Sequence, residues 1–213
     1  LTSAHAPASV TRVSEEEALS VEGAFDDILY FGANAGVIEK IAQLLASRGV
    51  LNVVLGGRRI ERKVSLDIGR VHYDFIRFVG TTGDDPAEGY AWIPDTGDLR
   101  VGDKIAIVGA AGPMGQMHTM RAVTSDVPGI SVVGTDLSDE RLAGLKAVVG
   151  PVAEKRGVPL SIINTSVTPL EYGYTHITCL VPVPALVAGA VDLAAEGAII
   201  NAFAGIPAGT FGD

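Results

Sequence analysis

Lys104-Ile105-Ala106-Ile107-Val108-Gly109-Ala110-Ala111-Gly112-Pro113-Met114-Gly115-Gln116-Met117-His118-Thr119-Met120 decides how this chain is read. An apolar run, a glycine-rich turn and a segment able to form a helix follow one another without a gap, the context that gives a glycine pattern meaning. Gly112 would let the backbone approach a diphosphate, Gly115 would let the helix pack on the strand, and the first helical amides would face the anion. Ala110 stands at the first glycine position of G-x-G-x-x-G, with Gly109 before it, so the turn keeps small residues but not the full pattern. Asp136 closes the next apolar run, 21 residues after Gly115. A carboxylate there accepts both ribose hydroxyls of an adenosine and repels a 2′-phosphate, which favours NAD over NADP. Leu137 is placed to cover the adenine, and Arg141, one helical turn on, weakens the exclusion of NADP.

Outward from this turn the pattern alternates. Apolar strands are expected at 130–136, 160–164, 176–181 and 198–203. Between them, Ser138-Asp139-Glu140 starts a helix running towards Val149, and another covers 185–195. Short apolar strands alternating with helices predict an α/β, doubly wound, Rossmann-like and mainly parallel sheet. Upstream, Ser14-Glu15-Glu16-Glu17 reads as a capped helix start. Asp27–Gly32 reads as a strand, and Val37, Ile38, Ile41, Leu44 and Leu45 form one helical face that Arg48-Gly49 stops. Further strands are expected at Val50–Leu55 and Phe75–Gly80. The Gly-, Asp-, Thr- and Pro-rich stretch 81–103 is the expected boundary, dividing the chain into a partial Rossmann-like unit at 1–96 and a dinucleotide-binding domain at 97–213. An internal echo relates the two. Asp27-Ile28-Leu29 to Asn52-Val53-Val54-Leu55-Gly56 resembles His176-Ile177-Thr178 to Asn201-Ala202-Phe203-Ala204-Gly205 at an offset of 149, with a one-residue slip expected in the helix between.

Composition sets the outer limits. With 213 residues, 47% hydrophobic and 19% charged, the chain has length for a core of its own. Glycine, at 26 residues, exceeds the usual ~7% without a collagen period, so it belongs to tight turns and close backbone approaches. A net charge of −9 argues against a phosphate-backbone binder, and no nucleic-acid partner is expected. One cysteine, Cys179, excludes an intrachain disulfide framework and any multi-cysteine metal site, and a reducing cytoplasm fits best. No membrane association is expected, since the most apolar stretch, 178–191, is too short for a span and holds Pro182 and Pro184. The start, Leu1-Thr2-Ser3-Ala4-His5, has neither an initiator Met nor a signal-peptide pattern and reads as cut from something longer.

These residues carry a family resemblance. Val101-Gly102-Asp103-Lys104, the turn Gly109–Gly115, Thr135-Asp136-Leu137-Ser138 and Arg141-Leu142 resemble the cofactor domain of medium-chain dehydrogenases, the zinc-type alcohol and sorbitol dehydrogenase superfamily. Gly112-Pro113-Met114-Gly115, Glu154-Lys155-Arg156-Gly157-Val158, Phe25-Asp26-Asp27-Ile28, Leu45-Ala46-Ser47-Arg48-Gly49, Val71-His72-Tyr73 and Phe78-Val79-Gly80-Thr81 resemble its L-sorbose-1-phosphate reductase branch. In that family the segments like Phe25 and His72 follow the glycine turn, whereas here they precede it, as in a tandem of two related cofactor domains. Carried over by position, the cofactor touches Gly109, Ala111, Gly112, Pro113, Met114, Gly115, Asp136 and Leu137, then the loop ends Asn164-Thr165 and Val181-Pro182. The resemblance implies a dehydrogenase moving hydride between a nicotinamide and a carbinol or ketone of a polyol, sugar or sugar phosphate. Its zinc ligands belong to a separate β domain, so no zinc is expected here and the chain alone is expected to be inactive.

Other candidates have plainer readings. His5, His118 and His176 are read as structural or exposed, and His72, with Tyr73 and Asp74 at a strand entry, as the best acid/base residue type in a packing role. Arg58, Arg59, Arg62 and Lys63 make a basic loop able to hold a sugar phosphate but read as solvated. Cys179 reads as a small core residue. No Tyr-x-x-x-Lys, Gly-x-Ser-x-Gly or Walker lysine occurs. The alternative function is a non-catalytic nucleotide-binding or scaffolding module, a degenerate duplicate. The sequence allows a homo-oligomer without setting an oligomeric state.

Overall fold

A computed structural model of the chain describes residues 11, 13–21, 24–93 and 99–212. The elements that position the site are five parallel strands: β5 (Lys104–Val108), β6 (Ser131–Asp136), β7 (Leu160–Asn164), β8 (Tyr174–Cys179) and β9 (Ala194–Ala202), in the spatial order β7-β6-β5-β8-β9. This is the doubly wound α/β sheet expected from the alternation. Side-chain alternation divides its core in two. Ile105 and Ile107 point to one face, where they pack with Val123 of α5 (Pro113–Thr124) and Leu142, Leu145 and Val149 of α6 (Asp139–Arg156). Ala106, Ile177 and Cys179 point to the other, where α7 (Pro184–Leu193) adds Val187 and Ala190. The central strand β5, buried on both faces through Ile105, Ala106 and Ile107, reads as a continuous apolar run.

The N-terminal part builds a separate sheet. β1 (Phe25–Phe31), β2 (Leu45–Val54) and β4 (Arg77–Thr81) are parallel in the order β1-β2-β4. The helix α2 (Ala35–Gln43) covers one face through Ile38 and Ile41, packed with Leu45, Leu51 and Ile76. The opposite face holds α4 (Pro86–Ala91), drawn close because Gly89 lacks a side chain: a Cβ there would stand 2.4 Å from Asn52 Oδ1. Asn52 Nδ2 donates to the Pro86 carbonyl at 2.8 Å, and Tyr90 donates to Asp27 Oδ1 at 2.6 Å. The first helix, α1 (Glu15–Leu19), carries the expected cap, with Ser14 and Glu17 in a reciprocal capping box.

Two short strands, β3 (Leu66–Asp67) and β10 (Phe211–Gly212), pair antiparallel, and α3 (Ile68–Tyr73) follows β3. Asp67 accepts from Gly69 N in capping α3 and from Gly209 N, while Ile68 enters the core beneath α7. The segment 66–73 thus ties the smaller sheet to the larger one. The boundary expected between 96 and 97 falls on 94–98, outside the described residues.

Four local expectations are corrected. Arg48-Gly49 does not stop α2, which ends at Gln43 with Leu44 as C-cap; Leu45–Gly49 belong to β2, whose bulge absorbs Arg48 at φ 67°. His72 and Tyr73 lie on α3 rather than at a strand entry. The helix from Asp139 continues past Val149 and through Pro151 to Arg156, ending at Gly157 with φ 66°. The internal echo needs no slip in its helix. Phe25↔Leu45 and Asp27↔Val50 flank a bulge in β1/β2, and Tyr174↔Ala194 and His176↔Ile199 flank one in β8/β9, every position displaced by 149. Even the left-handed residue recurs, Arg48 at φ 67° against Gly197 at φ 68°.

Candidate functional site

The five-stranded order changes direction at β5. The chain passes first to β6 and β7 on one side, then to β8 and β9 on the other, so a crevice opens beyond the carboxyl ends of β5 and β8. The loops leaving these strands touch: a Cβ on Gly109 would stand 2.5 Å from Val181 Cγ2, and Gly109 sits at φ 86°. The tight turn is therefore made by Gly109, not by the residue at the first motif position. Ala110 is fully buried beside Gly134, and Gly109 N and Ala110 N both donate to the Thr135 carbonyl, at 3.0 and 2.8 Å.

Gly115 fixes the approach of α5. A Cβ there would meet the Gly109 carbonyl oxygen at 2.2 Å, so the helix can start this close to the strand only with glycine at that position. Gly112 is the N-cap and offers no side-chain acceptor to the first-turn amides. A Cβ on Gly112 would have only Arg141 Nη2, at 3.5 Å, and Gly109 O, at 3.6 Å, as near neighbours, so the backbone face of the turn is open. Ala111 is buried, Pro113 occupies the first turn, and Met114 is 41% exposed. Across the crevice α7 repeats the arrangement. Its N-cap Val183 makes no side-chain cap and Pro184 begins the helix. The helices α2, α3, α4 and α6 are all capped by their own Asn34, Asp67, Asp85 and Ser138 side chains. The two helix starts flanking the crevice thus have no side-chain cap on their first-turn amides, although at α7 Leu186 N already donates to the Val183 carbonyl at 3.0 Å. Sequence reasoning missed α7 as part of the site, although Pro182-Val183-Pro184 without Ser, Thr, Asp or Asn was a readable sign.

Asp136 ends β6, 8% exposed. Its Oδ1 accepts from Leu137 N at 2.8 Å and Ser138 N at 3.3 Å, and its Oδ2 lies 3.1 Å from Arg141 Nη2. Leu137 is 71% exposed beside it. Thr165 N donates to the Asp136 carbonyl at 3.1 Å, and Asn164 Nδ2 donates to Asp139 Oδ1 at 2.8 Å, so the loop after β7 is anchored beside this carboxylate. Gly109, Ala111, Gly112, Pro113, Met114, Gly115, Asp136, Leu137, Thr165 and Val181 therefore gather at one end of one sheet. The open glycine turn, the uncapped helix starts and the carboxylate fit a dinucleotide.

The remaining candidates lie elsewhere. His72 is half-buried, its ring edge-on to Tyr73 at 4.8 Å and to Phe203 at 5.9 Å, and His118 meets Phe203 at 4.9 Å. In the basic loop, Arg62 grips both oxygens of Glu39 at 2.5 and 2.7 Å, and Arg58 Nε donates to Leu55 O. Cys179 is fully buried, and desolvation pushes its thiol up to about 11. His5 lies outside the described residues. Among the described residues there is no group of three or more His, Cys, Asp or Glu placed to hold a metal, and no helix long and apolar enough to cross a membrane.

Two curated proteins share part of this sequence. The mannitol-1-phosphate 5-dehydrogenase of Aliivibrio fischeri is 34% identical over 67 residues, 32% of this chain and 16% of its own length. An Escherichia coli K12 protein named uncharacterized protein YggP is 35% identical over 95 residues, 43% of this chain and 22% of its own length. The chain thus spans less than a quarter of either relative. The likeness to the first points to a dehydrogenase-type relation. No family model matches the chain, and no solved structure matches it.

Proposed function

We propose that this chain is the cofactor-binding portion of a nicotinamide-dependent dehydrogenase acting on a polyol, sugar or sugar phosphate. The observation that carries the reading is the pair of uncapped helix starts, α5 and α7, on either side of the crevice at β5 and β8, with Asp136 at the end of the neighbouring strand. Helix amides without an acceptor favour a bound diphosphate, and a carboxylate at the second strand end favours an adenosine ribose. The partial likeness to mannitol-1-phosphate 5-dehydrogenase agrees with the substrate class. The reading takes NAD as the cofactor in preference to NADP and places the chain with medium-chain dehydrogenases of the sorbose-phosphate reductase type. It divides the chain at 96/97 into a partial and a nearly whole cofactor unit. Polarising and proton-transferring groups come from outside these residues, so the isolated chain binds cofactor without turning substrate over, in a cytoplasmic setting. When bound, the nicotinamide would supply the hydride acceptor or donor, while the Gly112 turn would hold the diphosphate, Gly115 would keep α5 close to β5, and Asp136 would hold the adenosine ribose.

The test is a fluorescence titration of the chain with NADH and with NADPH, beside Asp136→Ala. Saturable NADH binding weakened in the variant supports the reading; no binding of either cofactor overturns it. One observation favours the second reading, a non-catalytic nucleotide-binding or scaffolding module: both Asp136 oxygens already have protein partners. In its scaffolding form that reading predicts no saturable binding of either cofactor.

A further inference from the structure

A second cavity lies away from the crevice, under the middle of α5. It has a volume of about 40 Å³ and is lined by Leu99, Ile105, Ile107, His118, Arg121, Ala122, His176, Thr178 and Asn201. At about 10–15 Å³ per water it has room for some three waters or one small oxyanion. Its polar wall is unusual in composition. His176 is 5% exposed, and its buried Nδ1 has no hydrogen-bond partner. Beside it stand the Thr178 hydroxyl, itself 3% exposed, and the exposed Asn201 amide at the mouth. Buried polar nitrogens are normally paired, so an orphan lining a polar cavity marks a place where a further partner belongs.

The equivalent place in the smaller sheet is filled. Asp27 stands at the position of His176 and Asn52 at that of Asn201, displaced by 149 residues. There α4 sits on the sheet, with Pro86 O accepting from Asn52 and the Tyr90 hydroxyl donating to Asp27. The exchange of Asp27 for His176 reverses the polarity of that position, from an anionic acceptor to a group that can donate and become cationic.

We propose that the cavity of His176, His118, Thr178 and Asn201 is a binding site for a small oxyanion of the phosphate type, separate from the dinucleotide crevice. Electrostatics select an anion over a metal ion. Burial acts most strongly on His176; among the charges, Asp103 favours a proton there but is itself ion-paired with Arg100 at 3.5 Å, while Arg100, Arg121 and His118 oppose one. A divalent cation meets the same opposition, whereas an oxyanion is attracted by it and accepts from Asn201, Thr178 and the imidazoles. Burial holds both His118 and His176 below their ordinary range, with the Arg121 charge adding to it. A bound anion reverses that, so binding takes up protons and is tighter at lower pH.

The experiment follows the four histidine rings of the ¹⁵N-labelled full chain by long-range ¹H–¹⁵N spectra. Inorganic phosphate, a phosphomonoester, sodium chloride at matched ionic strength and zinc are added in turn, with assignment by His176→Gln and His118→Gln. We expect saturable shifts of His176 and His118 with phosphate, about tenfold tighter near pH 6 than near pH 8, and none with chloride. A response to inorganic phosphate alone assigns a free oxyanion; a response to the ester as well assigns the phosphate end of a larger ligand. Asn201→Asp, an exposed change that places a carboxylate at the mouth, abolishes the response while NADH titration stays unchanged, which keeps this site distinct from the crevice. Shifts equal to those with chloride, a response to zinc only, or phosphate binding undiminished by Asn201→Asp would each overturn the proposal.

Discussion

Arg141 Nη2 lies 3.1 Å from Asp136 Oδ2, and the same nitrogen would stand 3.5 Å from a Cβ on Gly112. One guanidinium therefore spans the gap between the glycine turn and the carboxylate that ends β6. Arg141 is half-exposed, its side chain at 55%, whereas that of Asp136 is at 6%, so the carboxylate is fixed and the arginine is the part that can swing. A cation in this place is an acceptable neighbour for a 2′-phosphate, and a carboxylate is not. Arg141→Ala is expected to raise the preference for NADH over NADPH severalfold, read as the ratio of dissociation constants. Asp136→Ala is expected to weaken NADH by about tenfold, the loss of a charged hydrogen bond, and to bring the two cofactors together. An unchanged ratio in both variants would remove this pair from cofactor selection.

Gly115→Ala places a methyl group 2.2 Å from the Gly109 carbonyl oxygen. Backbone cannot yield as a flexible side chain does, so α5 must move from β5. We expect a loss of about 1–3 kcal/mol in urea unfolding, together with loss of NADH binding. Gly144, on α6 with nothing within 4 Å of an added Cβ, is the control. There alanine is expected to stabilise by up to about 1 kcal/mol through helix propensity alone.

Arg48 holds φ 67° without being glycine, and its guanidinium lies 5.5 Å from the ring centre of Phe75, itself at φ 56°. The strain of about 1–2 kcal/mol for a left-handed residue is offset by a cation–π contact of about 0.5–1 kcal/mol. Arg48→Gly should therefore raise the melting temperature slightly, and Gly197→Ala should lower it, since the Cβ would meet the Trp92 ring at 2.6–2.9 Å.

Glu39 carries a titration signature. The Arg62 side chain, with the Ser65 amide, lowers its carboxyl from 4.5 to about 2. A depressed carboxyl stabilises the fold above its unfolded value, and that contribution is lost as pH falls through about 2. Arg62→Ala should return Glu39 towards its ordinary value in a ¹³C carboxyl titration and shift acid unfolding to higher pH.

Cys179, fully buried with its thiol pushed up to about 11, should resist a thiol reagent at neutral pH in the native chain and react once the chain is unfolded. Rapid labelling of the native protein would show that α7 opens from the sheet.

The larger sheet was legible because its central strand β5 is an apolar run buried on both faces and the elements beside it start on local signs: Ser138 before α6, Gly109 and Gly112 in the turn. The smaller sheet was legible in outline only. Leu45 continues the apolar spacing of α2, so its place in β2 depends on pairing with Phe25, a residue 20 positions away in the sequence. The same holds for α3, short and without strong periodicity, which is held by Asp67 and by the Thr210 carbonyl from the far end of the chain.

At the site, the sequence by itself determined the glycine turn and Asp136, since close backbone approach and a strand-end carboxylate are properties of single residues at fixed spacing. It also determined the 149-residue echo and the absence of any cysteine pair. Only the tertiary structure decided that α7 faces α5 across the crevice, that Arg141 occupies Asp136, and that His176 Nδ1 lacks a hydrogen-bond partner where Asp27 Oδ1 has one. Those are relations between groups far apart in sequence. Burial and hydrogen-bond satisfaction belong to the surroundings that packing creates, and local spacing holds no record of them.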